Sequence, residues 1–305
     1  TLTNSPHDEA TADIALQSAK YSGRDCFVNY PASSEQQSVH RRNLVIAEKV
    51  QAALRENRLL FAYQPVIDSR TRETIYYECL MRLREPDGNV MTAAVFMPVV
   101  EKLGMIRPVD RTALRLAIDE LTTFESARIA INVSGLTTTD RSWLRSATAL
   151  LRGRRSIAER LIVEITETAG LDDIDACSRF VTTLRDLGCQ VALDDFGAGF
   201  TSFRHLKQLA VNMVKIDGSF VRNIRTTPDN LAFVRTLIDL ARTFDLETVA
   251  ECVETEEDAE ILTAEGVNYL QGFAFGKPAL ERPWQAEATD AEADAAPEKQ
   301  TRRNG

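Results

Sequence analysis

The middle of the chain alternates between short apolar runs rich in β-branched residues and longer segments with helical periodicity. The runs predict strands near Leu60–Ile67, Thr74–Met81, Ala127–Val133, Leu161–Thr166, Gln190–Asp194, Met213–Asp217, Glu247–Glu251 and Tyr269–Phe273. Helices are predicted over Pro108–Thr123, Asp173–Leu187, Pro228–Phe244 and Glu256–Glu265. Eight strands alternating with helices over about 240 residues favour an α/β fold, the (β/α)8 barrel.

An open doubly wound sheet is the alternative fold for this pattern. Such a sheet usually carries a glycine-rich phosphate loop after its first strand, and the sequence has no GxGxxG motif there. The barrel is therefore the preferred prediction.

Both ends of the chain differ from this middle. A helix over Ala12–Tyr21, a short apolar piece over Cys26–Tyr30 and a helix over Arg41–Asn57 predict a helix–strand–helix segment before the barrel. The stretch from Ala286 to Gly305 is rich in Ala, Glu and Asp, which predicts a disordered tail. We divide the chain into residues 1–42, a barrel over 43–285 and a tail over 286–305.

The composition of the chain excludes several kinds of partner and site. The net charge of −9 makes the chain a poor binder of nucleic acid, so we expect no DNA or RNA partner. The five cysteines are scattered without a CxxC pair, which argues against disulfides or a zinc site and for a reducing cytosol. No apolar run reaches about 18 residues, so the chain is expected to be cytoplasmic, although a parent protein could be membrane-anchored.

Acidic residues recur where the predicted strands end. They are Glu78, Glu164, Asp194, Asp195, Asp217 and Glu251, with Asn132 and Lys215 at comparable positions. Taken singly, each is more often a solvated cap or an ion pair. Together, the six belong to five predicted strands, whose ends would meet at one face of a barrel, and their carboxylates would repel each other there without cations. The candidate ligands are oxygens, and the histidines of the chain form no metal-binding motif, so Mg²⁺ or Mn²⁺ is favoured over zinc. A site with two such metals suits phosphoryl chemistry.

The ordered motifs resemble those of the EAL-domain cyclic di-GMP phosphodiesterases, roughly from Leu44 to Pro283. The matching pieces are Tyr63-Gln64-Pro65, Glu78-Cys79-Leu80 with Arg82, Phe96-Met97-Pro98 with Glu101 and Gly104, Asn132-Val133-Ser134, Glu164-Ile165-Thr166-Glu167, Asp194-Asp195-Phe196-Gly197, Lys215-Ile216-Asp217, Glu251-Cys252-Val253-Glu254 and Gln271-Gly272-Phe273. The resemblance implies a modified TIM barrel with one antiparallel strand. It also implies hydrolysis of cyclic di-GMP to linear pGpG.

The same resemblance implies a role for each matching residue. The first metal would be held by Glu78, Asn132, Glu164 and Asp194, and the second by Asp194, Asp195 and Glu251. Catalytic roles would fall to Lys215, which hydrogen-bonds the attacking water, to Glu251, and to Glu167, which tethers the loop beginning at Asp195. The substrate would face Gln64, Leu80, Arg82, Asp110 and Gln271, with support from Asp217 and Glu254. The two metals would be Mg²⁺ or Mn²⁺, with Ca²⁺ inhibitory.

Three departures from the family pattern stand out. Cys79 replaces the alanine of the Glu-Ala-Leu signature, and Ala198 with Phe200 alters the loop after Asp195. Cys252 stands where the family usually has glycine. A side chain at that position is expected to shift Glu251 if the backbone there has a positive φ.

The segment from Ala12 to Tyr30 resembles the last helix and strand of a GGDEF diguanylate cyclase domain, without the cyclase signature loop. This implies an upstream GGDEF or sensor domain in a parent protein and no cyclase activity. Family resemblance also implies a homodimer.

Two other functions compete with the phosphodiesterase. One is a non-catalytic cyclic di-GMP receptor that acts through a protein partner, and such members commonly lose metal ligands or the loop glutamate. The other is a different metal-dependent barrel enzyme, such as an enolase-type proton abstractor. The presence of every proposed ligand and of Glu167 favours the phosphodiesterase.

Overall fold

A computed structural model of the chain describes residues 34–167, 173–198 and 203–285. The predicted helix over Ala12–Tyr21, the piece over Cys26–Tyr30 and the predicted tail lie outside these residues, so they stay predictions, as do the domain boundaries. The described residues divide into two units, one of residues 34–58 and 83–105 and one of residues 59–82 and 106–285. No helix among the described residues is both long and apolar enough to cross a membrane.

The smaller unit contains helix α1 (Ser34–Arg55), the end of strand β2 (Thr74–Arg84), strand β3 (Val90–Thr92) and helix α2 (Ala93–Lys102). The predicted helix over Arg41–Asn57 is confirmed, although α1 begins earlier. One face of this helix is buried at Ile46, Val50 and Ala53.

The larger unit is a closed barrel of eight strands. They are β1 (Leu59–Asp68), β2, β4 (Ile129–Val133), β5 (Leu161–Thr166), β6 (Gln190–Phe196), β7 (Met213–Ile216), β8 (Glu247–Ala250) and β9 (Tyr269–Gln271). They follow the order β1-β9-β8-β7-β6-β5-β4-β2, and pairing between β1 and β2 closes the ring. Strand β1 runs antiparallel to β9, whereas the pairs from β2–β4 to β8–β9 are parallel. The predicted barrel with one reversed strand is confirmed, and the open doubly wound sheet is wrong.

Helices surround this barrel. They are α3 (Ile106–Thr123), α4 (Gly135–Thr138), α5 (Arg141–Leu151), α6 (Arg155–Ala158), α7 (Ile174–Leu187), α8 (Phe203–Leu209), α9 (Gly218–Val221), α10 (Pro228–Thr243) and α11 (Glu256–Glu265). All four helices predicted between the strands are confirmed to within two residues at each end. The four-residue helices were not predicted, because one turn is too short to show helical periodicity.

One apolar layer fills the inside of the barrel. Its members are Val66, Tyr76, Ala130, Ile162, Ala192, Met213 and Val249, with Tyr269 packed against them. Each of the eight strands contributes one of these residues. Because side chains alternate between the two faces of a strand, the residue two positions away also points into the barrel. The residues two positions away from the members of the apolar layer therefore form the next layer inside the barrel.

The end of β7 differs from the prediction. The strand stops at Ile216, and Asp217 instead caps helix α9 by accepting a hydrogen bond from the Ser219 backbone N–H at 3.0 Å. An aspartate at a helix N-cap satisfies an amide that the helix leaves unpaired. The predicted strand over Met213–Asp217 is therefore one residue too long, and Asp217 lies outside it.

Candidate active site

Polar side chains occupy the layer beyond the apolar one. On the parallel strands, or one residue beyond the strand end for Glu251, they are Glu78, Asn132, Glu164, Asp194, Lys215, Glu251 and Gln271, each two residues after a member of the apolar layer. On the reversed strand β1 the order is inverted, and Gln64 comes two residues before Val66. The carboxyl ends of the parallel strands thus carry one ring of polar groups, the face where barrel enzymes place their active sites.

Lys215 lies at the centre of this ring. Its Nζ is 2.7 Å from Glu251 Oε1, 2.9 Å from Glu164 Oε2, 3.2 Å from Asp194 Oδ1 and 3.4 Å from Glu78 Oε2. The side chain is 1% exposed. Burial lowers the pKa of Lys215, but the four carboxylates raise it more, and the net shift is upward. The ammonium group therefore stays charged.

Amide groups hold Glu78 in place. Its Oε2 accepts a hydrogen bond from Gln271 Nε2 at 2.6 Å, and its Oε1 accepts one from Asn132 Nδ2 at 2.6 Å. Gln271 Nε2 also lies 3.3 Å from Gln64 Oε1. Burial raises the pKa of Glu78, but Lys215 and the two amides outweigh it and hold the pKa below its ordinary value. Glu78 is therefore a fixed, ionised carboxylate.

The pKa values of Glu164 and Glu251 are shifted in the opposite direction to that of Glu78. Burial raises the pKa of Glu164 well above its ordinary value, and Lys215 offsets only part of this. Burial likewise raises the pKa of Glu251 to about 8. The buried Oε1 of Glu164 has no hydrogen-bond partner among the described residues. One ammonium thus faces four carboxylates, which leaves an excess of negative charge and an unsatisfied oxygen.

A second acidic group adjoins the first. Oxygens of Asp194, Asp195 and Glu251 all lie within 4.8 Å of one another. Consecutive residues on a regular strand point to opposite faces. Asp195 escapes this rule because its φ is +57° and because the pairing of β6 with β7 shifts register between Leu193 and Phe196. Burial raises the pKa of Asp195, and Asp194 and Asp217 raise it further.

This donor set fits divalent cations. All its candidate ligands are oxygens, its carboxylates outnumber its one ammonium group, and Glu164 Oε1 is buried without a partner. Hard cations such as Mg²⁺ and Mn²⁺ prefer oxygen ligands of this kind.

Glu167 anchors the backbone after the two aspartates. Its buried Oε2 accepts a hydrogen bond from the Gly197 N–H at 3.0 Å. Gly197 has φ +99°, a conformation that glycine adopts without steric penalty. Ala198 is the last described residue here, and Phe200 lies outside the described residues.

The remaining predicted site residues lie apart from the ion pairs around Lys215. Arg82 is half-buried, and its Nη1 donates to the carbonyls of Leu80 and Met81 at 3.3 and 2.9 Å. Asp110 is buried and accepts hydrogen bonds from the Ser134 N–H and the Thr137 hydroxyl, while Glu254 is exposed. The substrate roles of Leu80, Arg82 and Asp110 and the supporting role of Glu254 stay predictions.

Sequence reasoning missed two residues beside the site. The Gly276 carbonyl accepts a hydrogen bond from Gln64 Nε2 at 3.2 Å. Gly218 packs directly against the side chain of Cys252. Gly218 lies two residues beyond the end of β7, and a glycine at such a place is the signal that marks a close approach.

Known proteins are similar to this chain in sequence and in fold. The EAL domain family matches residues 47–278. The cyclic di-GMP phosphodiesterase PdeB of Shewanella oneidensis is 32% identical, covering 88% of this chain and 32% of that protein. The bifunctional diguanylate cyclase/cyclic di-GMP phosphodiesterase MucR of Pseudomonas aeruginosa is 31% identical, covering 88% of this chain and 39% of that protein.

A solved structure of one such relative is similar to this chain in fold. The PaMucR phosphodiesterase in complex with c-di-GMP has a TM-score of 0.70 and 32% identity, covering 77% of this chain and 97% of that one. The chain spans about a third of the length of the curated relatives it matches. The match over residues 47–278, more than half of the sequence, shows that the chain belongs to the EAL domain family.

Proposed function

We propose that this chain hydrolyses one phosphodiester bond of cyclic di-GMP and releases linear pGpG. The observation that carries the proposal is the buried Lys215 ammonium among four carboxylates at the carboxyl ends of the barrel strands. Two relatives support it, since PdeB is named a cyclic di-GMP phosphodiesterase and the PaMucR phosphodiesterase structure is a complex with c-di-GMP.

Two groups of oxygen ligands would hold two divalent cations. Glu78, Asn132, Glu164 and Asp194 would hold the first, and Asp194, Asp195 and Glu251 the second. When bound, such cations lower the pKa of a water molecule and stabilise charge on the attacked phosphate. We propose Mg²⁺ or Mn²⁺ in both places.

The chain's own side chains would orient the reactants. Lys215 can donate hydrogen bonds to the attacking water while its carboxylate partners fix its position. Glu251, whose Oε1 lies 2.7 Å from Lys215 Nζ, would be placed to position that water or to take up its proton. Attack of the water oxygen on phosphorus breaks the bond to the ribose 3′ oxygen, which leaves pGpG with a 5′ phosphate. The guanidinium of Arg82 matches the geometry of a phosphate oxygen pair.

One assay tests this function. The purified chain is incubated with cyclic di-GMP and Mg²⁺ or Mn²⁺, and pGpG is followed by chromatography. We expect turnover with either ion and little with Ca²⁺, because Ca²⁺ is larger and tolerates irregular coordination. Tight binding without turnover would instead support a receptor, and neither binding nor turnover would support a different barrel enzyme.

The stabilisation of the protein by Mn²⁺ is expected to grow as the pH rises from about 6 to about 8.5. Glu164 and Glu251 have raised pKa values, so at lower pH a cation must displace protons from them. As the pH rises these carboxyl groups ionise, and the affinity for the cation increases. The unfolding temperature with and without Mn²⁺ across this range measures the effect. A shift that stays constant or shrinks would contradict the raised pKa values.

Replacing Glu167 by alanine is expected to lower kcat by about ten- to a hundredfold, because a small displacement of a catalytic group can have an effect of this size. The hydrogen bond to the Gly197 N–H fixes the backbone beside Asp195. Glu167→Gln is the matched control, since its side-chain oxygen still accepts that bond and most of the activity should remain. Equal loss in both variants would show that the charge of Glu167 matters rather than the tether.

The parent protein and its assembly are also proposals. The relatives extend well beyond this chain, and one of them is named as a bifunctional cyclase and phosphodiesterase. We propose an upstream GGDEF or sensor domain, a homodimer and a cytoplasmic location, each testable on the full-length protein.

A further inference from the structure

Two neighbouring strands end side by side next to the proposed metal centre. Ile216 of β7 pairs with Ala250 of β8. Two residues further on, Gly218 and Cys252 meet. A Cβ atom built on Gly218 would lie 2.4 Å from Cys252 Sγ and 2.7 Å from Cys252 Cβ. The Cys252 side chain therefore fills the space in which any side chain at position 218 would begin.

The backbone at Cys252 has an unusual conformation. Its φ is +56°, in the left-handed region that residues with a side chain rarely adopt. On one side, the Glu251 N–H donates to the Ile216 carbonyl at 3.3 Å. On the other, the Val253 N–H donates to the Gln271 carbonyl at 3.0 Å. Across the kink, the backbone N–H groups thus change their hydrogen-bond partner from β7 at Glu251 to β9 at Val253.

The same kink directs Glu251. Its Oε1 lies 2.7 Å from Lys215 Nζ, and its carboxylate belongs to the acidic group with Asp194 and Asp195. A strained backbone conformation persists only where its surroundings hold it. For Cys252, the surroundings are Gly218 and Arg222, whose Nη2 lies 3.3 Å from the Cys252 Sγ.

We infer that Cys252 is a positioning residue, and that its contact with Gly218 holds the left-handed kink that aims Glu251 at Lys215 and at the second cation. The inference rests on the proposed function, because it takes Glu251 to be a ligand of that cation. Cys252 acts through Glu251 and has no part in bond breaking.

A compensating pair of substitutions tests this role. Gly218→Ala adds a methyl group where the Cys252 side chain lies, so the kink and Glu251 must move. We expect Mn²⁺ affinity about tenfold weaker and kcat about tenfold lower, with KM little changed. Adding Cys252→Gly removes both overlapping atoms, and the methyl group of Ala at position 218 then fills the space that the Cys252 side chain occupies in the wild type. The packing beside the kink is thereby restored, and we expect both quantities to return to within about threefold of the wild type. With Cys252→Ala instead, the Cβ that would lie 2.7 Å away remains, and the defect should persist.

Three readouts decide the outcome. Calorimetry gives the Mn²⁺ affinity, steady-state assays give kcat and KM, and the unfolding temperature of the metal-free protein reports packing alone. Wild-type Mn²⁺ affinity in folded Gly218→Ala, or no recovery in the Cys252→Gly double variant, would overturn the inference. If Gly218→Ala does not fold, Cys252→Gly alone should weaken Mn²⁺ binding by about tenfold, and unchanged binding would overturn it. If the wild type binds Mn²⁺ without turnover, the proposed function fails while the Mn²⁺ comparison still decides the role of Cys252.

Discussion

Replacing Lys215 by methionine is expected to lower kcat for cyclic di-GMP hydrolysis by about a thousandfold, the upper range for loss of a preorganised charge-stabilising donor. Methionine keeps the length of the side chain but cannot donate a hydrogen bond to the attacking water. The ammonium group it replaces is buried and within 3.4 Å of four carboxylate oxygens. Steady-state formation of pGpG measures the change, and a rate within tenfold of the wild type would contradict the role of Lys215.

The same variant should lose stability when metal-free. Removing one partner of a buried ion pair typically destabilises a protein by about 3–5 kcal/mol. Here four carboxylates would lose their common cation, so Mn²⁺ should raise the unfolding temperature more in Lys215→Met than in the wild type. Lys49→Met is the matched control, since Lys49 pairs with Glu85 but is exposed, and such pairs contribute about 1 kcal/mol or less.

Replacing Glu164 by glutamine is expected to change activity and stability in opposite directions. We expect Mn²⁺ affinity and kcat to fall by about a hundredfold or more, because a carboxylate ligand becomes neutral. The metal-free protein should be at least as stable as the wild type. Burial raises the pKa of Glu164, so its carboxylate destabilises the fold, and this effect grows as the pH rises above its ordinary pKa.

The expected effect on stability is tested by unfolding temperatures measured with a chelator at pH 6 and pH 8.5. The unfolding temperature of Glu164→Gln should exceed that of the wild type by more at the higher pH. Glu120→Gln is the matched control. Glu120 is also buried, but it accepts hydrogen bonds from Arg282 and Trp284 at 2.6 and 3.0 Å, away from the ion pairs around Lys215. That variant should lose stability and keep its Mn²⁺ affinity. If Glu164→Gln lost as much stability as Glu120→Gln, the excess of negative charge around Lys215 would be contradicted.

Much of this site was predictable because it follows strand periodicity. Buried parallel strands are continuous apolar runs, so a charged residue such as Glu164 inside the run Leu161–Thr166 is conspicuous. The two-residue repeat of a strand then places such residues on one interior layer. Cys252 has a positive φ, which is the condition under which a side chain there is expected to affect Glu251.

The parts that could not be predicted depend on irregular backbone or on contacts distant in sequence. Asp195 is among the acids predicted at strand ends, but no periodic pattern reveals the left-handed φ and the register shift that bring it into the acidic group. Asp217 follows an apolar run, as the other acidic residues at strand ends do, but its carboxylate accepts a hydrogen bond from the Ser219 N–H and caps a helix instead. The four ion pairs of Lys215 join residues 21 to 137 positions apart in the chain, and sequence alone does not give their geometry.

Anomalous scattering from crystals soaked with Mn²⁺ would test the central claim most directly. We expect two peaks about 3.5–4 Å apart, the usual spacing of a two-metal site. One should be bound by Glu78, Asn132, Glu164 and Asp194, and the other by Asp194, Asp195 and Glu251. Crystals that show no Mn²⁺ within this ring, or Mn²⁺ only elsewhere on the barrel, would contradict the two-metal site.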